Sequence, residues 1–524
     1  NMDNVLPLSD VLPILENLGL RVIGEHPYGL HYADGSRVWI HNFLLEYTLA
    51  ERIDMQVVKG LFQETFKNIW HGRAESDCFN KLVLGSEIGW REIAMLRGYA
   101  RYMKQIRFGI SELAIANTLC RYIDISRLLV QAFEVRFGLH ENVSIEQRSL
   151  AFADVEQKIM AALDSVEQLN EDRIVRRYLE LIKATLRTNF YQCNEDGSAK
   201  DYISFKLAPH QVADMPLPKP MYEIFVYSPS VEGVHLRGGK VARGGLRWSD
   251  RNEDYRTEVL GLVKAQQVKN AVIVPVGAKG GFVAKNLHPE MSRDDWLAEG
   301  INSYKTFISS LLDVTDNLVE GEVVPPQQVV RHDEDDVYLV VAADKGTATF
   351  SDISNGIAIE RGFWLGDAFA SGGSIGYDHK KIGITARGAW ISVQRHFREK
   401  GLNVQTEDFT VIGIGDMGGD VFGNGMLRSE HIRLTAAFNH MHIFVDPNPN
   451  AAATFAERKR LFEMPRSTWD DFDKSLISEG GAVFSRSAKS INISPEMKER
   501  FDIKEDAPAG AGMPPMGGGM PGMM

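Results

Sequence analysis

Lysines and arginines set among glycines dominate one stretch of the chain. It runs Arg243-Gly-Gly-Leu-Arg-Trp-Ser-Asp250, then Val-Lys269-Asn-Ala, then Pro275-Val-Gly-Ala-Lys279-Gly-Gly281. Glycine lets a backbone and a ligand approach closely, and clustered cations raise the local concentration of anions. The combination suits a small anionic substrate and an amine-type catalyst. Between positions 237 and 285 ten basic residues face four acidic ones, in a chain whose formal net charge is -12. A positive field confined to one window of an acidic protein points to a specific anion. It excludes a surface that tracks nucleic-acid phosphates, which needs widespread positive charge.

Within this stretch Lys279 follows the apolar run Val272-Ile-Val-Pro-Val and is read as lying in a turn at the end of a buried strand. Desolvation there, with Lys269 and Arg243 as cationic neighbours, favours the neutral amine and hence action near neutral pH. The competing reading is a solvated turn lysine. Further on, the strand-like Val337-Tyr-Leu-Val-Val-Ala-Ala stops on Asp344. A carboxylate at a strand end can face a ligand cleft and shuttle protons, or it can cap the following turn.

A third place is Phe409-Thr-Val-Ile-Gly413-Ile-Gly415-Asp-Met-Gly418, a strand entering GxGxxG before a helix-like segment. In that context Gly413 makes the tight turn, Gly415 admits a pyrophosphate and Gly418 lets helix and strand pack. The next strand expected, His442-Ile-Phe-Val, ends on Asp446. That acid could bind ribose hydroxyls and favour NAD over NADP, or it could be a plain surface aspartate.

The elements that must position these groups are legible from composition and period. Residues 1–48 read as a small α+β module and 49–198, poor in Pro and Gly, as helices. In the latter Val155, Ile159, Ala162, Val166 and Leu169 recur as one apolar helical face, read as packing. From 199 to 375 strand-like runs such as Ile203-Ser-Phe-Lys-Leu and Tyr222-Glu-Ile-Phe-Val-Tyr predict an α/β substrate-binding domain. Residues 376–503 predict part of a Rossmann-like nucleotide domain. The Gly, Met and Pro of 504–524 predict a disordered tail. The fold class expected is therefore α/β and multidomain.

Three cysteines, Cys78, Cys120 and Cys193, are too few and too scattered for a disulfide framework or a zinc knuckle. Free thiols, no metal site, no membrane span and a cytoplasmic location are the expectations.

The segments ARGGLRWSDR, QQVKNAVIVPVGAKGG, AADKGTATFSD, GSIGYDHKKIGITARGAW, VIGIGDMGGD and HIFVDPNP together resemble the large NAD-specific glutamate dehydrogenases in order and spacing, over about residues 1–503. The resemblance implies an ACT-like N-terminal module, NAD as cofactor, a homo-oligomer, and oxidative deamination of L-glutamate to 2-oxoglutarate and ammonium. By position it implies that Lys279 polarises the reacting carbon and activates water, that Asp344 shuttles protons, and that Lys269 pairs with the substrate α-carboxylate. Arg243 stands where the small enzymes of this activity carry a lysine for the distal carboxylate. Thr385 falls near the nicotinamide amide, and Gly413, Gly415 and Gly418 form the pyrophosphate turn. The tail GAGMPPMGGGMPGMM instead resembles the C-terminus of group I chaperonins. Two other readings stand beside the glutamate one: a non-catalytic fragment with a shortened nucleotide domain, and a dehydrogenase for another amino acid, against which the basic window argues.

Overall fold

The structure is a computed structural model that describes residues 7–33, 37–47, 54–267, 276–344, 346–347, 349–376 and 379–503. Lys269 and the chaperonin-like tail lie outside the described residues. The chain divides into two compact units, Asn1–Ile375 and Gly376–Met524.

The first unit begins with a helix, Leu8–Asn17, and a long antiparallel hairpin, β1 (Leu20–His31) with β2 (Arg37–Tyr47). Helices follow, among them Met55–Trp70, Trp90–Gln105, Ile123–Phe137, Ile145–Ala162 and Leu169–Ala184. Trp90–Gln105 is buried on nearly every side from Ile93 to Met103, as its mixed apolar sequence requires of a central helix. The stripe from Val155 to Leu169 is not one helical face. Its helix ends at Ala162, a short 3-10 turn spans Leu163–Ser165, and Leu169 opens the next helix.

An eight-stranded mixed sheet carries the rest of this unit. Its strands are β3 (Thr185–Thr188), β4 (Ile203–Leu207), β5 (Tyr222–Tyr227), β6 (Val231–Arg237), β7 (Ala242–Trp248), β8 (Val276–Ala284), β11 (Val340–Ala343) and β12 (Ala370–Ser371). A separate hairpin pairs β9 (Asn317–Val319) with β10 (Glu322–Val324). The sheet order is β12-β11-β7-β8-β6-β5-β4-β3. Strand β7 lies parallel to both β8 and β11, so the carboxyl ends of β7 and β11 point the same way. One face packs Phe205, Phe225, Val234 and Leu236 against Tyr99, Val175 and Val259 of the helical layer. The other packs Ile224, Val226, Leu246, Phe282 and Val341 against Phe307, Leu311 and Ala358.

Charge is buried in this sheet only where it is matched. Arg187 Nη1 donates to Asp316 Oδ1 at 2.8 Å, Lys206 Nζ lies 2.6 Å from Asp336, and Arg237 also pairs with Asp336. Burial would raise the Asp336 carboxyl, but Arg237 and Lys206 hold it well below the ordinary carboxylate range. Glu75 is held down to about 2 in the same way, burial being outweighed by Lys285, Arg97 and Arg101.

His235 of β6 is buried neutral and unpartnered. Fully buried, with neither ring nitrogen partnered, it is pushed down to about 3 by burial and then by the nearby Arg237. The unfolded chain takes up a proton on such a histidine near pH 6.5 while the folded one does not, so stability falls as pH drops from about 6.5 toward 3. Thermal denaturation followed from pH 7 to pH 4 is expected to show this slope. His235→Leu, at a site walled by Leu246 and Gly280, is expected to flatten it.

The second unit holds a four-stranded sheet of β13 (Phe409–Ile414), β14 (Ile432–Phe438), β15 (His442–Val445) and β16 (Ala482–Ser485), in that order. The β13–β14 pair is parallel, and the β14–β15 and β15–β16 pairs are antiparallel. Its core gathers Phe409, Ile432, Leu434, Phe444, Leu461 and Trp469.

Candidate active site

Strand β7 reads Ala-Arg-Gly-Gly-Leu-Arg-Trp, and the alternation of a strand sends Arg243, Gly245 and Arg247 to one face and Gly244, Leu246 and Trp248 to the other. Leu246 and Trp248 are drawn into the apolar core, which fixes the register and leaves both arginines on the opposite face. Two glycines bring the neighbours in. A Cβ on Gly244 would lie 1.5 Å from the Ala278 carbonyl oxygen, so β7 and β8 meet here at a separation only glycine allows. A Cβ on Gly245 would lie 3.0 Å from Asp344 Cβ and 3.1 Å from Asp344 Oδ2. Gly245 is thus the floor beneath the Asp344 carboxylate.

Lys279 is not in a turn. It is the fourth residue of β8, one residue before Gly280, which pairs with Leu246 of β7. The glycines around it serve close packing: Gly277 lies under Gln266 and Gly281 under Val259 of the helix Tyr255–Gln267, and Gly280 lies under Leu246 of β7. The segment reads as a turn because glycine usually marks one, yet in a strand it marks a close approach. Lys279 Nζ is 3.2 Å from Asp344 Oδ2, and the two side chains are each about one-fifth exposed. Lys269, expected beside it, lies outside the described residues; the neighbour described is the Asp344 carboxylate.

Asp344 follows the last residue of β11, at the level of Arg247. Its backbone N–H donates to Thr347 Oγ1 at 3.0 Å, and the Thr347 hydroxyl donates to the Leu246 carbonyl at 2.7 Å. The turn is therefore held by Thr347, and the Asp344 carboxylate is engaged by Lys279 and by Arg247 Nη2 at 3.1 Å. Arg243 is exposed at the opposite end of the same face, paired in register with Gly277 and Val340.

Arg247, Glu258 and Ser249 complete this constellation, and sequence reasoning gave none of them a role. Arg247 Nη1 donates to Glu258 Oε1 at 2.6 Å, and Ser249 Oγ donates to Glu258 Oε2 at 2.6 Å. Glu258 sits on the helix Tyr255–Gln267, which a bidentate Arg256–Glu223 pair at 2.6 and 2.7 Å, wholly buried, locks onto the sheet. The usable signal was period two: Arg247 stands four residues after Arg243, hence on the same strand face.

In the second unit Gly415 has φ +137°, a conformation that favours glycine, and its carbonyl accepts a hydrogen bond from Trp469 Nε1 at 2.8 Å. A Cβ on Gly413 would lie 2.5 Å from the Phe422 ring, and one on Gly415 2.9 Å from Phe422 Cβ. These two glycines let the helix Asp420–Met426 close onto the strand end, while Gly418 rests against the Ser467 carbonyl. Packing of helix on strand, expected of Gly418, falls to Gly413 and Gly415. Thr385 is exposed in the first turn of the helix Ile384–Glu399.

Asp446 does not stand where a ribose-binding acid stands. A turn of three residues, Asn439 to Met441, joins β14 to β15, too short for a crossover, so β15 is antiparallel. Asp446 is fully buried and accepts hydrogen bonds from the Ser478 backbone N–H and hydroxyl. Burial raises its carboxyl above the ordinary value. The strand parallel to β13 is β14, and the residue at its carboxyl end is Asn439, whose Nδ2 donates to Asp416 Oδ2 at 2.7 Å. Strand, glycine turn, helix and parallel strand follow one another here, and the side chain just past the second strand is an amide, not an acid.

Comparison with known proteins places these features among one set of sequences. Residues 158–513 match the family described as bacterial NAD-glutamate dehydrogenase, catalytic domain, residues 74–139 match glutamate dehydrogenase helical motif 3, and residues 1–58 match the glutamate dehydrogenase ACT3 domain. An NAD-specific glutamate dehydrogenase of Pseudomonas aeruginosa is 64% identical over 504 residues, which is 96% of this chain and 31% of that protein. The enzyme of the same name from Mycobacterium tuberculosis is 53% identical over 521 residues, 96% of this chain and 32% of its own length. The chain thus spans about a third of the length of the relatives it matches.

Proposed function

The chain belongs to the bacterial NAD-glutamate dehydrogenase family, and from that membership we propose that its reaction is L-glutamate + NAD+ + H2O giving 2-oxoglutarate + NH4+ + NADH + H+. The observation that carries the proposal is the Lys279–Asp344 pair, 3.2 Å apart above Gly245, on the strand face that also bears Arg243.

Arg243 binds the distal carboxylate of glutamate, and Lys269 binds the α-carboxylate. Two carboxylates gripped at two points fix which carbon is presented, and such positioning supplies roughly 7–11 kcal/mol of a barrier. NAD, when bound, supplies the hydride acceptor. Lys279 stabilises the charge that develops as water adds to the imine carbon. Asp344, within hydrogen-bond reach of Lys279 Nζ, accepts the proton that the amine gives up and passes it to the departing ammonia. Gly413, Gly415 and Gly418 form the pyrophosphate turn, and Thr385 lies near the nicotinamide amide. Three free cysteines support a cytoplasmic setting, and the family supports a homo-oligomer.

Initial rates of NADH formation at 340 nm with L-glutamate and with L-leucine test the substrate class. Glutamate is expected to be the preferred substrate. Arg243→Met is expected to raise KM for glutamate by about 10- to 150-fold, the worth of one charge-assisted hydrogen-bonded contact, with a smaller change in kcat. An apolar amino acid preferred over glutamate, or an unchanged KM in Arg243→Met, contradicts the assignment.

A further inference from the structure

Arg247 touches none of the groups that the proposed reaction assigns to substrate, yet it joins three elements at the site. Its fork reaches Asp344 Oδ1 on one side at 3.1 Å and Glu258 Oε1 on the other at 2.6 Å. Glu258 is itself fixed by Ser249 Oγ at 2.6 Å, and its helix is pinned to the sheet by Arg256 and Glu223. The Arg247 Nε is buried and has no hydrogen-bond partner, so both of its bonded contacts are made through the two terminal nitrogens. Side-chain exposure of Arg247, Glu258 and Asp344 is 19%, 13% and 18%.

We propose that Arg247 is a positioning residue for proton transfer: by holding Asp344 Oδ1 it turns Oδ2 toward Lys279 and keeps the carboxylate ionised between proton transfers, with Glu258 as the anchor that holds the guanidinium in line. This rests on the reading of Asp344 and Lys279 as the proton-handling pair. A planar guanidinium can span two carboxylates from one side chain, whereas an ammonium is a point charge that cannot hold both in the same geometry. Glu258 matters because an arginine paired with Asp344 alone is free to swing with it. Facing Asp344 among the described residues are Lys279 from β8, Arg247 from β7 and the Thr347 hydroxyl; Glu258 acts through Arg247, and Asp250 is exposed at the end of β7. Lys345 lies outside the described residues.

The test is the titration of the Asp344 carboxyl by carbon-13 NMR on the full chain, assigned with Asp344→Asn, in the wild type, Arg247→Gln, Arg247→Lys and Glu258→Gln. Losing an adjacent cation moves a carboxyl upward by about one unit or more. The expected order of midpoints is wild type lowest, Arg247→Lys and Glu258→Gln intermediate, Arg247→Gln highest. In parallel, kcat for glutamate is expected to fall about 10- to 100-fold in Arg247→Gln with KM little changed. The acidic limb of the kcat profile is expected to move up with the Asp344 midpoint. An Asp344 midpoint that stays put in Arg247→Gln and in Glu258→Gln overturns the proposal, whatever the rates do. If Arg247→Gln does not fold, the Arg247→Lys and Glu258→Gln midpoints decide it alone. A midpoint that moves in a protein that never turns over glutamate upholds the positioning role and rejects the proposed reaction.

Discussion

Lys279→Ala is expected to lose glutamate turnover by about 10²- to 10⁴-fold, the range of a positioned acid–base or charge-stabilising group, while cofactor affinity stays within a few-fold. The separation follows from where the groups lie. Lys279 is on β8 of the first unit, and the glycine turn at Gly413, Gly415 and Gly418 is on the second. The fold should survive the change. Asp344 keeps Arg247 as a counter-ion after the lysine is gone, so no carboxylate is left buried and unpaired. The melting temperature is therefore expected to stay within about 2 °C, the shift that ~1 kcal/mol produces in a folding unit of several hundred residues. Calorimetric titration with NAD and a thermal melt, run beside the rate assay, separate loss of chemistry from loss of structure.

Gly244→Ala is expected to damage the fold itself, by ~3–5 kcal/mol. The new methyl would sit 1.5 Å from the Ala278 carbonyl oxygen and 2.6 Å from its carbonyl carbon. Both obstacles are backbone atoms at the centre of the eight-stranded sheet, so no side chain can turn aside to relieve the clash. Relief requires β7 and β8 to separate, and they carry Arg243, Arg247 and Lys279 between them. The measurement is the urea midpoint of unfolding, with Gly261→Ala as the comparison. Gly261 lies inside the helix Tyr255–Gln267 with nothing within 4 Å of an added Cβ, so alanine there is expected to stabilise by about 0.5–1 kcal/mol. A Gly244→Ala chain as stable as the wild type would mean that the β7–β8 approach is not as described.

The candidate residues were legible as candidates because the chemistry proposed for them is written locally: a lysine among glycines, a carboxylate at the end of an apolar run, and a strand entering GxGxxG. Their setting was not. Gly277 to Gly281 has the composition of a turn, but Gln266, Val259 and Leu246 fill the space above its glycines and keep it in strand β8. Nothing short-range in the sequence announces those three neighbours. Asp446 has nearly the spacing of a ribose-binding acid, and only the tight turn after Asn439 shows that the strand before it runs the wrong way. The apolar stripe from Val155 to Leu169 has the period of one helix, and the break after Ala162 has neither Gly nor Pro to mark it. Arg247 was counted among the basic residues without a role, because its partners Asp344 and Glu258 are 97 and 11 positions away. Folding, not motif, brings those three together.

The central claim is that the Lys279–Asp344 pair is the reacting centre of a glutamate dehydrogenase. Its most direct test is the rate of NADH formation at 340 nm from L-glutamate and NAD, measured for the wild type and Lys279→Ala at matched folded concentration. The account predicts steady NADH formation by the wild type and a loss of at least about 10²-fold in Lys279→Ala. Turnover by Lys279→Ala within tenfold of the wild type would contradict it.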